Sequence, residues 1–281
     1  MELAVSIPRA DLLARLKDAG LAHQMRKLRD NRWHLEVGGP DSGLYFYLGH
    51  MNADGVRKLA SRPSAFPSFA AYRSALSKML SEQELSETRL TRLDLALDYP
   101  APLGVVLHGL DVSQKQVRIA YTDKGATRTG LAVGCGPERI VVYDKALKSK
   151  LAEPRTRIET QLSGAKLPTR KLDDLPALLA SHKGRLFFGN VSLSEVVVAD
   201  ATGLQEGQIS RFADLRSMLN REGLLSAKRA FNANGNFERD YAGFLQITPA
   251  SEQPAQAFRR LIRDFFEERS DGESPILFHG R

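Results

Sequence analysis

The chain carries one cysteine, Cys135, among 281 residues. It can form neither an internal disulfide nor a multi-cysteine zinc site, which suits a reducing, cytoplasmic setting. Long hydrophobic runs are missing too: no stretch approaches the ~20 apolar residues that a membrane span requires. The opening MELAVSIPRADLLARL has no basic region leading into a long apolar core, so no signal peptide is expected. Histidine is sparse. His23, His34, His50, His108, His182 and His279 stand singly, without a His-hydrophobe-His spacing, so metal binding through imidazole is not expected. Neither an internal repeat nor a low-complexity tract is visible.

Positive charge is in surplus. Forty lysines and arginines face 33 acidic residues, for a net charge of +7 and a pI near 9.5. Hydrophobic residues make up 42% of the chain, an ordinary share for a globular protein, so the surplus belongs on a folded surface. Basic surfaces condense on phosphate backbones, which makes DNA or RNA the natural partner class.

Alternation predicts a first strand in MELAVSIP, and helical spacing follows in ADLLARLKDAG, stopped by Gly20. WHLEV and LYFYLGH read as a hairpin around GGPDSG, and NADGVRKLA and FAAYRSALSKML as helices. Short strands come next: TRLDLALDY, KQVRIAYTD, GLAVG, ERIVVYDK and RTRIETQL. A helix in DDLPALLASHK, more strand in RLFFGNVSLSEVVVAD, and helices in SRFADLRSMLNREG and AQAFRRLIRDFFEER complete the chain. The pattern is α+β, with a mainly antiparallel sheet flanked by helices. A boundary near 200 is expected, dividing a domain of residues 1–200 from a mainly helical region of residues 201–281.

Successive strand side chains alternate faces. Arg92, Asp94, Ala96 and Asp98 therefore share one side of RLDLALD, with Leu93, Leu95 and Leu97 on the other. Carboxylates two residues apart repel unless something positive lies between them. Ion pairs with Arg92 on a solvated face would serve. So would a divalent cation, since Mg²⁺ and Mn²⁺ prefer such hard oxygens. RTRIETQL repeats the design, with Arg155, Arg157, Glu159 and Gln161 on one face. In ERIVVYDK, Tyr143 and Lys145 share a face at the end of an apolar run. Tyr143 is either a strand residue filling space or an oxygen nucleophile. A phenol with a pKa near 10 needs help to attack. A metal polarising a phosphodiester, with cations to neutralise the developing charge, would supply it.

TRLDLALDY, ERIVVYDK and RTRIETQL, in that order within about seventy residues, resemble the motifs of the Rep_trans family of rolling-circle replication initiators of plasmids and, more distantly, filamentous phages. LYFYLGHMNADGVRKL is similar to a strand and helix upstream of them. The resemblance implies a twisted antiparallel sheet flanked by helices, commonly in a homodimer, that nicks and closes origin DNA through a phosphotyrosyl intermediate. Tyr143 matches the nucleophile, and Asp94 and Glu159 the carboxylates for Mg²⁺ or Mn²⁺; Asp98 is a further ligand candidate, and Arg157 and Lys145 are the accompanying cations. The implied partner is an origin hairpin or extruded single strand, with a host helicase to follow. This chain departs from the family's aromatic-Gly-x-Arg-x-Ser pattern: LAVGCGPE keeps Gly134 but lacks the arginine and serine, leaving Lys145 and Arg139 to contact phosphate.

The same residues leave open a conjugative relaxase, an origin-binding protein without chemistry, and an unrelated α+β enzyme. Tyr121, Tyr99 and Tyr241 are the reserve nucleophiles. The basic clusters QMRKLRDNRWH and AFRRLIRDFF read as solvated faces or as phosphate-contacting helices, with Trp33 and Tyr45 available to stack on a base. Phe258, Leu261, Ile262, Phe265 and Phe266 form an apolar stripe that must be covered by the protein's own core or by a second subunit.

Overall fold

A computed structural model describes residues 1–27, 33–37, 44–48, 55–113, 119–125, 127–180, 188–199, 205–231, 237, 241 and 244–266. Side chains of residues 25–27, 33, 34, 44–48, 55–57, 180 and 207 are outside the description. The expected α+β class, with an antiparallel sheet and helices toward the C-terminal end, is what the structure has.

The chain opens with β1 (Glu2–Pro8) and α1 (Arg9–Asp18). A meander follows: β2 (His23–Lys27), β3 (Trp33–Val37), β4 (Leu44–Leu48) and β5 (Gly55–Ser61), whose last strand returns to pair with β1. After α2 (Phe69–Ser77) and α3 (Glu82–Glu87), the same path is taken again. β6 (Arg89–Tyr99) leads into α4 (Leu103–Gly109) and the short β7 (Leu110–Val112). The second meander, β8 (Ile119–Lys124), β9 (Thr127–Cys135), β10 (Glu138–Asp144) and β11 (Thr156–Ser163), returns to pair with β6. β1 and β6 pair antiparallel, so the two five-stranded halves join in one ten-stranded sheet of order β2-β3-β4-β5-β1-β6-β11-β10-β9-β8. The backbone thus repeats a unit that no sequence repeat announces.

One face of this sheet is apolar and covered. Leu3, Val5 and Ile7 of β1, Leu93, Leu95 and Leu97 of β6, Ile140 and Val142 of β10, and Ile158 of β11 are buried in a single cluster with Leu12 and Leu16 of α1 and Tyr72 and Leu76 of α2. Burial of this kind is the principal stabilising contribution, about 1.5–3 kcal/mol for each large apolar side chain. The opposite face is polar and half-buried.

The rest of the chain adds α5 (Lys145–Ser149), α6 (Leu175–Ala180), β12 (Val191–Val198), α7 (Glu206–Glu222), α8 (Leu224–Phe231), β13 (Leu245–Pro249) and α9 (Pro254–Phe266). β12 pairs with both β13 and β7 in a three-stranded sheet that draws on both sides of residue 200. Over it lies a second cluster of Leu215, Leu219, Leu224, Ala227, Phe237 and Leu245. Phe258 and Phe265 of α9 are buried in the main core, with Leu261, Ile262 and Phe266 packed against it. The stripe is therefore covered internally.

Two local expectations are corrected. Gly55–Ser61, expected as part of a helix, is strand β5, because pairing with β1 and β4 on either side satisfies its backbone and puts Leu59 and Ser61 into the core. The basic cluster QMRKLRDNRWH is not helical where it is described: residues 24–27 and 33–34 belong to paired strands. The stacking expectation for Trp33 and Tyr45 concerns side chains outside the described set.

Candidate functional site

Cross-strand register on the polar face gathers the sequence motifs into three rows. Asp98 of β6 lies opposite Arg157 of β11, which lies opposite Tyr143 of β10 and, beyond it, Gly130 of β9. The next row is Ala96, Glu159, Val141 and Ala132; the third is Asp94, Gln161, Arg139 and Gly134. Residues directly opposite in an antiparallel pair share a face, so all the charged members meet above β6, β11 and β10. Tyr143 sits near the end of β10, an inner strand, rather than at a sheet edge.

Arg157 is the hub of the first row. Its Nε and Nη2 donate to the two oxygens of Asp98, the latter over 2.7 Å. The side chains are only 16% and 3% exposed, so this is a buried, forked ion pair rather than a surface one. Burial works against the guanidinium charge, but Asp98 more than offsets it and holds Arg157 firmly protonated.

Tyr143 donates its hydroxyl to Oε1 of Glu159 over 2.7 Å. Burial, and then the neighbouring Glu159, push the phenol well above its usual value, so the resting hydroxyl is neutral. Glu159 is held from its other oxygen as well, where Gln161 Nε2 donates to Oε2 over 3.1 Å. Gln161 Oε1 in turn accepts from Arg139 Nε at 3.1 Å and Nη2 at 2.7 Å. Asp94 accepts from Arg92 Nε over 2.8 Å.

The turn after β10 adds two more cations. Asp144 caps α5 by accepting from the Leu147 N–H over 2.8 Å. The backbone N–H groups of Lys145 and Ala146 both donate to Arg155 O, tying the helix to the start of β11. Lys145 is buried at the first helical position, and burial together with nearby Arg157 lowers its pKa. The Lys148 ammonium lies 4.3 Å from the centre of the Tyr143 ring. The phenol thus has one carboxylate acceptor inside a rim of cations, a setting suited to an anionic substrate.

Gly130 keeps the site open beside Tyr143. A Cβ there would lie 2.6 Å from Val142 O and 3.0 Å from Tyr143 Cβ, so only glycine permits β9 and β10 to approach so closely.

The carboxylates do not cluster like a dedicated multidentate metal cage: among the described residues no group of three or more His, Cys, Asp or Glu is gathered. Asp94 and Glu159 fit a Mg²⁺ or Mn²⁺ site of the kind that uses two carboxylates and several waters. They are diagonal neighbours across β6 and β11 and retain oxygen lone pairs beyond the contacts described. Both oxygens of Asp98 are engaged by Arg157, which makes Asp98 the partner of that arginine.

The reserve tyrosines point elsewhere. Tyr121 lies opposite Leu131, on the apolar face, where its hydroxyl meets Ser226 and Arg128 covers its ring at 3.7 Å. Tyr99 is on the leucine side of β6, and Tyr241 packs on Phe237 in the second core. What the sequence reading missed is the role of Gln161 and the link from it to Arg139; the alternation that places Gln161 beside Glu159 was the available signal.

No family model matches the chain, and no curated protein matches it in sequence. No helix among the described residues is long and apolar enough to cross a membrane. Among solved structures the chain is similar to a rolling circle replication initiator protein from Geobacillus stearothermophilus, with a TM-score of 0.38 and 12% sequence identity over 79% of this chain and 97% of that chain.

Proposed function

We propose that this protein is a DNA nicking-closing enzyme that initiates rolling-circle replication of a plasmid or phage, with Tyr143 as its nucleophile. The observation that carries the reading is the Tyr143 hydroxyl donating to Glu159 beside the Arg157–Asp98 pair, with the Lys148 ammonium over the phenol ring. As the Tyr143 oxygen bonds to phosphorus, its proton passes to Glu159 and the bond from phosphorus to the sugar oxygen breaks. Lys145 donates a proton to the departing sugar oxygen. Arg157, held by Asp98, faces the charge that develops on the phosphoryl oxygens. The phosphotyrosyl link conserves the bond energy, and the reverse sequence closes the strand. Mg²⁺ or Mn²⁺ held by Asp94 and Glu159 would polarise the scissile phosphate. An origin hairpin or extruded single strand, a host helicase and a second copy of the chain are the proposed partners.

Origin binding without chemistry is the alternative, favoured by the engagement of Asp94 and Asp98 with arginines. One gel decides between them: supercoiled DNA bearing the cognate replication origin, incubated with protein and Mg²⁺ or Mn²⁺. Nicked DNA with protein covalently attached is expected, whereas bound but uncut DNA would leave the binding reading. Nicking at a transfer origin in preference to a replication origin would identify a conjugative relaxase.

A further inference from the structure

We propose that Arg139 and Gln161 are positioning residues that aim Glu159 at the Tyr143 hydroxyl, an inference that rests on the nucleophile reading above. Four side chains form one directed chain: Arg139 to Gln161 at 2.7 and 3.1 Å, Gln161 to Glu159 at 3.1 Å, and Tyr143 to Glu159 at 2.7 Å.

The direction is fixed by chemistry. A guanidinium has donors and no acceptor, so the atom of Gln161 that faces Arg139 must be the amide oxygen. The amide nitrogen is thereby turned along the strand toward Glu159, where an acceptor-only carboxylate waits. With Oε2 engaged by that nitrogen, Oε1 is left to take the phenolic proton. Freed from Arg139, the Gln161 side chain could rotate, and Glu159 would lose the contact that sets its plane. Arg139 is exposed and Gln161 half-buried, so neither is needed to fill the core. Register supports the same conclusion, because Arg139 and Gln161 are directly opposite on neighbouring strands and Glu159 precedes Gln161 by two residues in β11.

The test uses Arg139→Met, Gln161→Leu and the double variant in the full chain. Single-turnover cleavage of a single-stranded origin oligonucleotide is expected to slow about 10- to 100-fold in each single variant, the scale associated with small misplacements in an active site. Oligonucleotide affinity should change less than about threefold in Gln161→Leu, and the double variant should be no slower than the worse single one, as members of one chain require. Arg139→Lys, which keeps a donor, should recover part of the rate.

Alongside, the ¹³Cζ resonance of labelled Tyr143, assigned with Tyr143→Phe, should move in both single variants while thermal unfolding stays unchanged. Multiplicative losses in the double variant, or losses confined to affinity, would overturn the proposal. If the wild-type protein cuts no DNA, the nicking reading fails separately and the resonance alone decides: a shift in both variants upholds the relay, and an unmoved resonance refutes it.

Discussion

Tyr143 and Glu159 meet on a diagonal. Each faces a different residue across the β10–β11 ladder, Tyr143 opposite Arg157 and Glu159 opposite Val141, yet the phenol reaches back to donate to the carboxylate over 2.7 Å. The position directly across from the phenol is thus given to a cation, while the proton acceptor stands one row away. A nucleophile attacking a phosphodiester needs both, and the pleat supplies them from a single strand.

Tyr143→Phe removes only the hydroxyl. Nicking and the covalent protein–DNA adduct should both vanish, while origin DNA is still retained in a mobility-shift assay. An adduct that persists would move the nucleophile to another residue.

The two carboxylates proposed for the metal should respond to cation supply. Asp94→Asn and Glu159→Gln should each abolish cleavage in limiting Mg²⁺; part of the activity should return at high Mn²⁺ in Asp94→Asn but not in Glu159→Gln, which also removes the acceptor of the phenolic proton. Full activity of Glu159→Gln in limiting Mg²⁺ would remove Glu159 from the site.

Asp98 should behave as a structural partner first. Asp98→Ala removes the forked partner of the buried Arg157, leaving Glu159 at 3.9 Å from its Nη1, and breaking a buried pair costs about 3–5 kcal/mol. Urea denaturation reads this as a lower midpoint with an unchanged slope, and added Mn²⁺ should restore nothing.

A single methyl group at Gly130 should also be costly. In Gly130→Ala the new Cβ meets Val142 O and the base of Tyr143, so β9 must withdraw from β10. A loss of about 1–3 kcal/mol is expected from such overpacking, together with slower nicking. Wild-type values for both would show that the two strands have more freedom than this spacing implies.

Acid should weaken the link between α1 and α3. The Arg15 guanidinium donates to Glu84 and holds its carboxyl below the usual range, and Ser81 completes the cap. Stability from this pair is fully present above the unfolded carboxyl value of about 4.3 and is lost as pH falls through the lower folded value. Glu84→Gln should therefore be less stable than wild type at pH 7, by about 1 kcal/mol given its partial exposure, and the gap should close by pH 2. A gap that did not change with pH would remove the ion pair as its cause.

The part of the site built on strand alternation was legible in the sequence. Asp94, Asp98, Arg157, Glu159 and Tyr143 were assigned to faces by counting in twos, and the ladders of β6, β10 and β11 carry them on one surface. The partners each would choose were not legible. Ion pairs with Arg92 were one reading of the two carboxylates, and Arg92 takes Asp94, but register sets Arg157 across from Asp98, and register depends on how two distant segments align. β5 was misread for a related reason: GVRKLAS has no strong local preference, and two neighbouring strands decide its conformation. The repeated path of the sheet left no trace in the residues, because a strand order can recur with only the inward alternation retained.

That repetition has a consequence for dissection. β6, which bears Asp94 and Asp98, is flanked by β11 from its own half and by β1 from the other, so the acidic strand is interior only while both halves are joined. A fragment cut at residue 89 would hold every charged or phenolic residue of the site and still lack the β1 support of the strand that carries Asp94 and Asp98. Its β6 backbone would lose the β1 ladder over Arg89–Arg92 and present an open row of N–H and C=O groups at the start of the strand that carries Asp94 and Asp98, a template for strand-to-strand aggregation. The N-terminal half, which contributes none of the proposed chemistry, is in this sense the permanent edge protector of the half that does.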